Sequence, residues 1–273
     1  MLACTVRGCG EPLARNPHVF ICPNGHSFDI ARSGYVNLLQ PQDRRSLTAG
    51  DTKDAVAARA RLTAAGVGRG LVEALVERVA GVSLEAEAPV VDLGCGTGSL
   101  LTAVVERTAA AGIGIDLSVP AIEHAARTYD GATWVVANAD RTLPFVSGSV
   151  GLMLSQHARR NPQECARALM PGGRLIVAVP AEDDLIELRE SVMGERVERS
   201  RVEALVAEHA AMFRLCEQSV VRQRHHLEGD LLRDLLLITY RGARTRQADA
   251  ARALTSLEVT LASDVVVFER TSA

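Results

Sequence analysis

One run constrains this chain more than any other: Val90-Val91-Asp92-Leu93-Gly94-Cys95-Gly96-Thr97-Gly98. An apolar strand ends in an acid and enters a turn with three glycines. Glycine lets a backbone come close to a ligand where a side chain would clash. A second short strand, Ile113-Gly114-Ile115, ends in Asp116, about 20 residues further on, where a carboxylate can grip the hydroxyls of a ribose. The spacing is Gly-x-Gly-x-Gly and not the dinucleotide Gly-x-Gly-x-x-Gly. Together the turn and the two strand-end acids predict a nucleotide-like ligand. A purely structural strand-to-helix turn rarely needs three glycines beside an acid.

Periodicity extends this unit into a fold. Helices are expected over residues 55–65, 71–82, 100–110, 120–129 and 162–169, and strands over 90–93, 112–115, 133–137, 150–154 and 173–179. Alternation of this kind predicts an α/β fold with a mostly parallel sheet and helices on both faces. Residues 183–215, rich in Glu and Arg, read as one long helical region. The β-branched run over 257–268 suits a closing strand. Three parts are expected: a short, turn-rich, cysteine-bearing module over 1–40, a helical linker region over 41–88 and the alternating domain over 89–273. Length allows one large domain with a small appendage. The net charge of −3 gives no global basic field for nucleic acid, although a local patch can still bind RNA. No charged leader precedes an apolar core and no apolar run approaches a membrane span, so no membrane partner and a reducing cytoplasm are expected.

Three of the six cysteines fall in the first part. Cys4-x4-Cys9 is followed by Cys22-x3-His26, a Cys3His set suited to closed, tetrahedral structural zinc. Pro23-Asn24-Gly25 supplies the tight turn between the second pair. The segment has too little apolar mass for a core of its own, so a metal would substitute for one. The alternative is three free thiols packed under the main domain. Four ligands leave no open position for catalysis.

The run Asp92-Leu93-Gly94-Cys95-Gly96-Thr97-Gly98 resembles the first motif of class I S-adenosylmethionine-dependent methyltransferases. Ahead of it stand the zinc set, His26-Ser27-Phe28-Asp29-Ile30-Ala31-Arg32, Gly34-Tyr35-Val36-Asn37-Leu38-Leu39, Gly50-Asp51 and Ala58-Arg59. Behind it stand Arg160-Asn161-Pro162-Gln163-Glu164 and Met170-Pro171-Gly172-Gly173. This order resembles the RlmA family of 23S ribosomal RNA guanine-N1 methyltransferases, closest to its Gram-positive branch, which includes enzymes linked to tylosin resistance. The resemblance covers nearly the whole chain. It implies a Rossmann-like sheet with antiparallel closing strands, a zinc module that helps recognise an RNA hairpin, and methylation of an extruded guanine; it is compatible with a homodimer. A guanine N1 lies on the Watson–Crick edge, so the base must be unpaired or flipped. It also implies that Gly94, Cys95, Gly96 and Gly98 hold the methionine part of the cofactor and Asp116 the ribose. Ala139 and Asp140 take the adenine amino group, and Asp92 meets the ammonium. Leu117 and Ser155 belong to the same cofactor set. Asp140 could instead cap a helix.

The chain departs from the family after its fourth core strand. Ser155-Gln156-His157-Ala158-Arg159 stands where relatives carry an aromatic residue and a proline. His157 can stack on a base or accept a proton, and Arg159 can fork onto a guanine edge or a phosphate. These two are the expected catalytic pair. Ile238-Thr239-Tyr240-Arg241 also lacks a family proline. Two further readings stay open: a small-molecule methyltransferase of secondary metabolism, and a catalytically weak paralogue that binds S-adenosylmethionine and RNA. The basic run Arg222-Gln223-Arg224-His225-His226 reads as a phosphate contact or a solvated strand edge.

Overall fold

The computed structural model describes residues 1–43, 50–83, 88–194, 200–239 and 253–271. Its N-terminal part is a small antiparallel sheet of β1 (Ala14–Arg15), β2 (Val19–Ile21) and β3 (Ser27–Asp29), in the order β1-β2-β3. Next come β4 (Val36–Asn37) and the helices α1 (Lys53–Ala64) and α2 (Arg69–Ala80). The alternating region then runs β5 (Val90–Leu93), α3 (Ser99–Thr108), β6 (Gly112–Asp116), α4 (Val119–Thr128), β7 (Ala132–Val136), β8 (Val150–Gln156), α5 (Pro162–Ala168) and β9 (Leu169–Pro180). The chain closes with α6 (Ile186–Met193), α7 (Val202–His209), β10 (Phe213–Glu228), α8 (Gly229–Thr239) and β11 (Ser256–Arg270).

The large sheet has the order β10-β11-β9-β8-β5-β6-β7-β4. Strands β4 to β9 pair in parallel, and β11 and β10 close the sheet antiparallel. Every residue of β5 is buried, as expected of a strand covered by helices on both faces. The strand order turns outward at β5, with β6 on one side and β8 on the other. In open α/β sheets the ligand crevice lies at the strands' C-terminal ends at such a point.

Caps fix the helices around that crevice. Thr52 accepts from the Ala55 N–H to start α1, and Ser118 accepts from the Ala121 N–H to start α4. The motif at 160–164 is a structural device: Asn161 caps α5, Pro162 opens it, and Glu164 accepts from the Leu143 N–H and pairs with Arg167.

Two expectations change. The region over 183–215 is not one helix. Gly194, at φ 76°, ends α6, and α7 is a separate helix of eight residues. Strand β10 begins at Phe213, and its side chains from Val220 onward alternate between partly covered and exposed. The second change concerns the zinc segment. Strand β4, inside residues 1–40, pairs with β7 as the edge of the large sheet. Leu2, Leu13 and Phe20 pack in the same core as Leu93, Leu143 and Phe145, and Leu2 bridges to Phe145. The small sheet therefore shares a core with the large one, which a segment of its size needs.

Candidate functional site

The C-terminal ends of the parallel strands open into a cavity of about 950 Å³, within the range of cofactor and substrate pockets. Helices α1 and α8 wall it through Leu62, Leu235 and Ile238. On the β5–β6 side the glycine loop and Asp116 meet. Asp116 Oδ2 accepts from the Gly96 N–H at 2.9 Å and Oδ1 from the Ser118 N–H at 2.8 Å. Burial pushes its carboxyl above the usual range, and these two donors pull back. Beneath the loop lies Asp92, 1% exposed, with Oδ1 lacking any hydrogen-bond partner. Burial, with the Asp116 charge added, pushes its pKa up to about 7.

The three glycines serve different ends. A Cβ on Gly94 would sit 2.4 Å from the Ala158 Cβ, so the glycine loop fits closely under the loop that follows β8. A Cβ on Gly96, at φ 53°, would project towards Arg59, 3.8 Å from its Cδ, in space the cavity leaves open. Gly98 corrects the sequence reading. It does not line the cavity, and a Cβ there would stand 2.6 Å from the Trp134 ring and 2.9 Å from Ala125. That glycine is required by the core. Cys95, Leu117, Ala139 and Asp140 all line the cavity. Ser155 does not: it is buried, and its Oγ lies 3.4 Å from the Ala158 carbonyl. No described helix starts at Asp140, so the capping alternative falls; its Oδ2 lies 3.8 Å from Arg159.

His157 and Arg159 both face the cavity. His157 adopts φ 53°, an unusual conformation for a residue with a side chain and a common mark of functional loops. Its Nε2 lies 2.8 Å from the Ser263 Oγ. The ring reaches the cavity surface, yet protein packed around it and the Arg59 and Arg201 charges lower its pKa to about 4. At neutral pH it is uncharged and weakly basic. Tyr240 and Arg241 lie outside the described residues. The basic run over 222–226 lies along β10, the edge strand of the large sheet among the described residues; Arg222 pairs there with Asp183, and His226 with Glu258.

Sequence reasoning gave no role to Gly50, Asp51 and Arg59. All three line the cavity. A Cβ on Gly50 would stand 2.8 Å from the Ser118 backbone, and Ser118 donates to the Asp51 carbonyl at 2.7 Å. This strap is pinned beside Asp116, and Asp51 holds Arg59 at 3.3 Å. The Gly50-Asp51 and Ala58-Arg59 pairs, part of the motif order that carries the family resemblance, were the available signal.

The second cluster is in the small sheet. One ligand atom each from Cys4, Cys9, Cys22 and His26 lies within 4.8 Å of all the others. Cys4 Sγ and Cys22 Sγ are each 3.5 Å from His26 Nδ1, and Cys9 Sγ is 3.9 Å from Cys22 Sγ. A tetrahedral zinc with Zn–S near 2.3 Å and Zn–N near 2.1 Å places its ligands about 3.6–3.8 Å apart. The four residues fit zinc as they stand.

The segment over residues 3–47 matches the family model for the RlmA N-terminal zinc ribbon, and residues 90–173 match a methyltransferase domain model. A 23S rRNA (guanine(748)-N(1))-methyltransferase of Streptomyces fradiae is 40% identical over 230 residues, 82% of this chain and 80% of that protein. The chain belongs to the RlmA family. A Micromonospora griseorubida protein, provisionally named a 23S rRNA (guanine-N(1)-)-methyltransferase, is 34% identical over 97% of this chain and 93% of its own length. Among solved structures, Bacillus subtilis YcgJ superposes with a TM-score of 0.50 at 14% identity, covering 74% of this chain and 98% of that one. The [4+2]-cyclase SpnF superposes with a TM-score of 0.51 at 17% identity, over 73% of this chain and 81% of its own. Both share the class I methyltransferase fold. Like its family, this RlmA chain is S-adenosylmethionine-dependent and carries a zinc ribbon. The cavity fits the cofactor: Asp92 Oδ1 offers an unsatisfied buried acceptor for an ammonium, and Gly96 leaves its backbone bare. Among the described residues no helix is long and apolar enough to cross a membrane.

The raised pKa of Asp92 has a stability consequence. Its folded pKa exceeds the unfolded value, so between about pH 4 and 7 the native state holds more protons than the unfolded chain, and stability falls as pH rises through that window. Asp92→Asn should therefore raise the melting temperature of the ligand-free protein at pH 8 and flatten its decline between pH 4 and 7. The same variant should lose S-adenosylhomocysteine affinity by tenfold or more. Thermal scans across pH, paired with calorimetric titration, test both; an unchanged melting profile with unchanged affinity refutes the role.

Proposed function

We propose that this protein transfers a methyl group from S-adenosylmethionine to N1 of a guanine in a hairpin of 23S ribosomal RNA. The observation that carries the reading is a single molecule in which a zinc ribbon shares the core of a methyltransferase sheet whose strand ends open on a 950 Å³ cavity. A small acceptor needs no such ribbon, whereas a structured RNA needs a second point of grip to be held while one base is drawn out. The cofactor supplies an electrophilic methyl group. Asp92 would pair with its ammonium, Asp116 with the ribose hydroxyls and Ala139–Asp140 with the adenine edge. The loop over 155–159 would face the acceptor. The neutral His157 ring would form a wall for the flipped base, and Arg159, 79% exposed, would reach the RNA backbone.

Incubation with 23S RNA from a strain lacking this modification, followed by nuclease digestion and mass spectrometry, tests the reading. The expected product is 1-methylguanosine; label in another nucleoside or only in small molecules refutes it. Raised tylosin tolerance in a sensitive host expressing the protein would extend it to resistance. Within the loop, His157→Ala should lower the single-turnover rate about tenfold while S-adenosylhomocysteine affinity stays within twofold. Arg159→Ala should weaken RNA binding and reduce the slope of affinity against salt by about one charge. Wild-type rates and salt slopes in both variants would remove the loop from the acceptor side.

A further inference from the structure

Five carboxylates line the cavity among the described residues: Asp51, Asp92, Asp116, Asp140 and Asp184. Four have partners or a place on the cofactor side. Asp51 pairs with Arg59, Asp140 lies against Arg159, and Asp92 and Asp116 end β5 and β6. Asp184 is different. It follows β9, on the opposite half of the crevice, in a short turn held by unusual geometry: Leu185 adopts φ 52°, and its N–H donates to the Thr260 carbonyl at 2.7 Å. Asp184 Oδ1 accepts from the Ala262 N–H at 2.9 Å. The next residue of β11, Ser263, holds the His157 ring at 2.8 Å. Two successive residues of one strand therefore anchor Asp184 and His157, and both side chains line the cavity.

From this placement we infer that Asp184 is the residue that accepts the guanine N1 proton, and that His157 is not. The inference rests on the guanine-N1 reading above. A guanine presents N1–H and N2–H as adjacent donors on its Watson–Crick edge, and a carboxylate is an acceptor with positions to spare after one hydrogen bond. Adenine has no N1–H, so the same carboxylate selects for guanine. The balance of the step is simple. The N1 lone pair forms the bond to the methyl carbon, the sulfonium sulfur keeps the electron pair of the bond that breaks, and the N1 proton passes to the Asp184 carboxylate, which becomes a neutral acid. The electrostatics agree. Burial pushes Asp184 up to about 6, partly offset by the Ala262 N–H and by Arg189, while His157 is pushed down to about 4. The carboxylate is thus the better base of the two and is still ionised at pH 7. The charged groups acting on it are Asp183 in its own turn, Arg189 on α6 and Arg201 before α7, and Asp183 is itself paired with Arg222 on β10.

Asp184→Asn keeps an oxygen for the Ala262 N–H, so the turn is expected to survive and the melting temperature to stay close to wild type. The single-turnover rate of 1-methylguanosine formation should fall about 100-fold, a usual contribution of a general base. S-adenosylhomocysteine affinity, read by calorimetry, should stay within twofold. The pH profile separates a proton acceptor from a structural role. The wild-type rate should rise to a plateau above about pH 6, whereas Asp184→Asn should keep rising through pH 9 as the base loses its proton to solvent instead. Asp184→Glu should recover part of the rate, and His157→Ala should keep the wild-type profile at a lower rate. A wild-type rate in Asp184→Asn overturns the inference, as does a loss that higher pH does not relieve or that is matched by lost cofactor affinity. If the wild type itself yields no 1-methylguanosine, the functional reading fails and this inference with it. If the wild type does and Asp184→Asn does equally, only the inference fails.

Discussion

Gly98→Val is expected to lower the melting temperature by about 10 °C, while Gly96→Val, two residues away, abolishes cofactor binding with a smaller thermal penalty. At Gly98 the added Cβ meets the Trp134 ring and Ala125, both buried, at 2.6 and 2.9 Å, and φ is 87°. Left-handed backbone costs a β-branched residue roughly 1–2 kcal/mol and overpacking a further 1–3 kcal/mol. About 2–5 kcal/mol in total corresponds to roughly 10 °C for a chain of this size. At Gly96 the nearest atom to a new Cβ is 3.8 Å away, so packing tolerates it. The valine instead occupies the open space beside a backbone that the cofactor must approach, and more than 100-fold loss of S-adenosylhomocysteine affinity is expected. Thermal unfolding and calorimetry on both variants check this. Equal melting temperatures, or retained affinity in Gly96→Val, would mean that the glycines are not divided in this way.

Removing the metal should be as severe. Protein purified without added metal should carry one zinc per chain, and Cys22→Ser less than half of that by elemental analysis. Structural zinc holds small domains with about 10–16 kcal/mol of apparent binding free energy at neutral pH. Strands β1 to β3 contribute only eight residues in pairs and triplets. Without the metal they cannot persist as a sheet, and RNA methylation should fall below detection. No residue of the small sheet or of the four metal ligands lines the cofactor cavity, so S-adenosylhomocysteine affinity should change only a few-fold. Unchanged zinc content in Cys22→Ser, or full RNA methylation by the metal-free protein, would refute this assignment.

Much of the molecule was legible because its signals are local. Strand β5, the glycine turn and Asp116 lie within 27 residues, and backbone chirality and strand length convert that order directly into a strand–turn–helix–strand unit. Cys4, Cys9, Cys22 and His26 were readable because a metal set needs only residue type and spacing. The helix over 69–80 followed from its apolar stripe, of which Leu71, Leu75 and Val79 are buried. The expected helical region over 183–215 failed because Gly and Leu185 break it and because β10 is stabilised by its partner β11, which lies far along the chain.

The sequence by itself determined the alternating α/β architecture, the methyltransferase turn and the zinc ligands, since each depends on contacts between near neighbours. Only the tertiary structure decided which glycine serves the core and which the cavity, because Trp134 comes from a different strand than Gly98. It also decided that β4 joins the large sheet, that His157 is held neutral by a crowded cavity wall, and that Asp184 is anchored to the same strand as His157 and lines the same cavity. Each of these follows from groups far apart in the chain meeting in a low-dielectric space, where neighbours and burial set what a side chain can do.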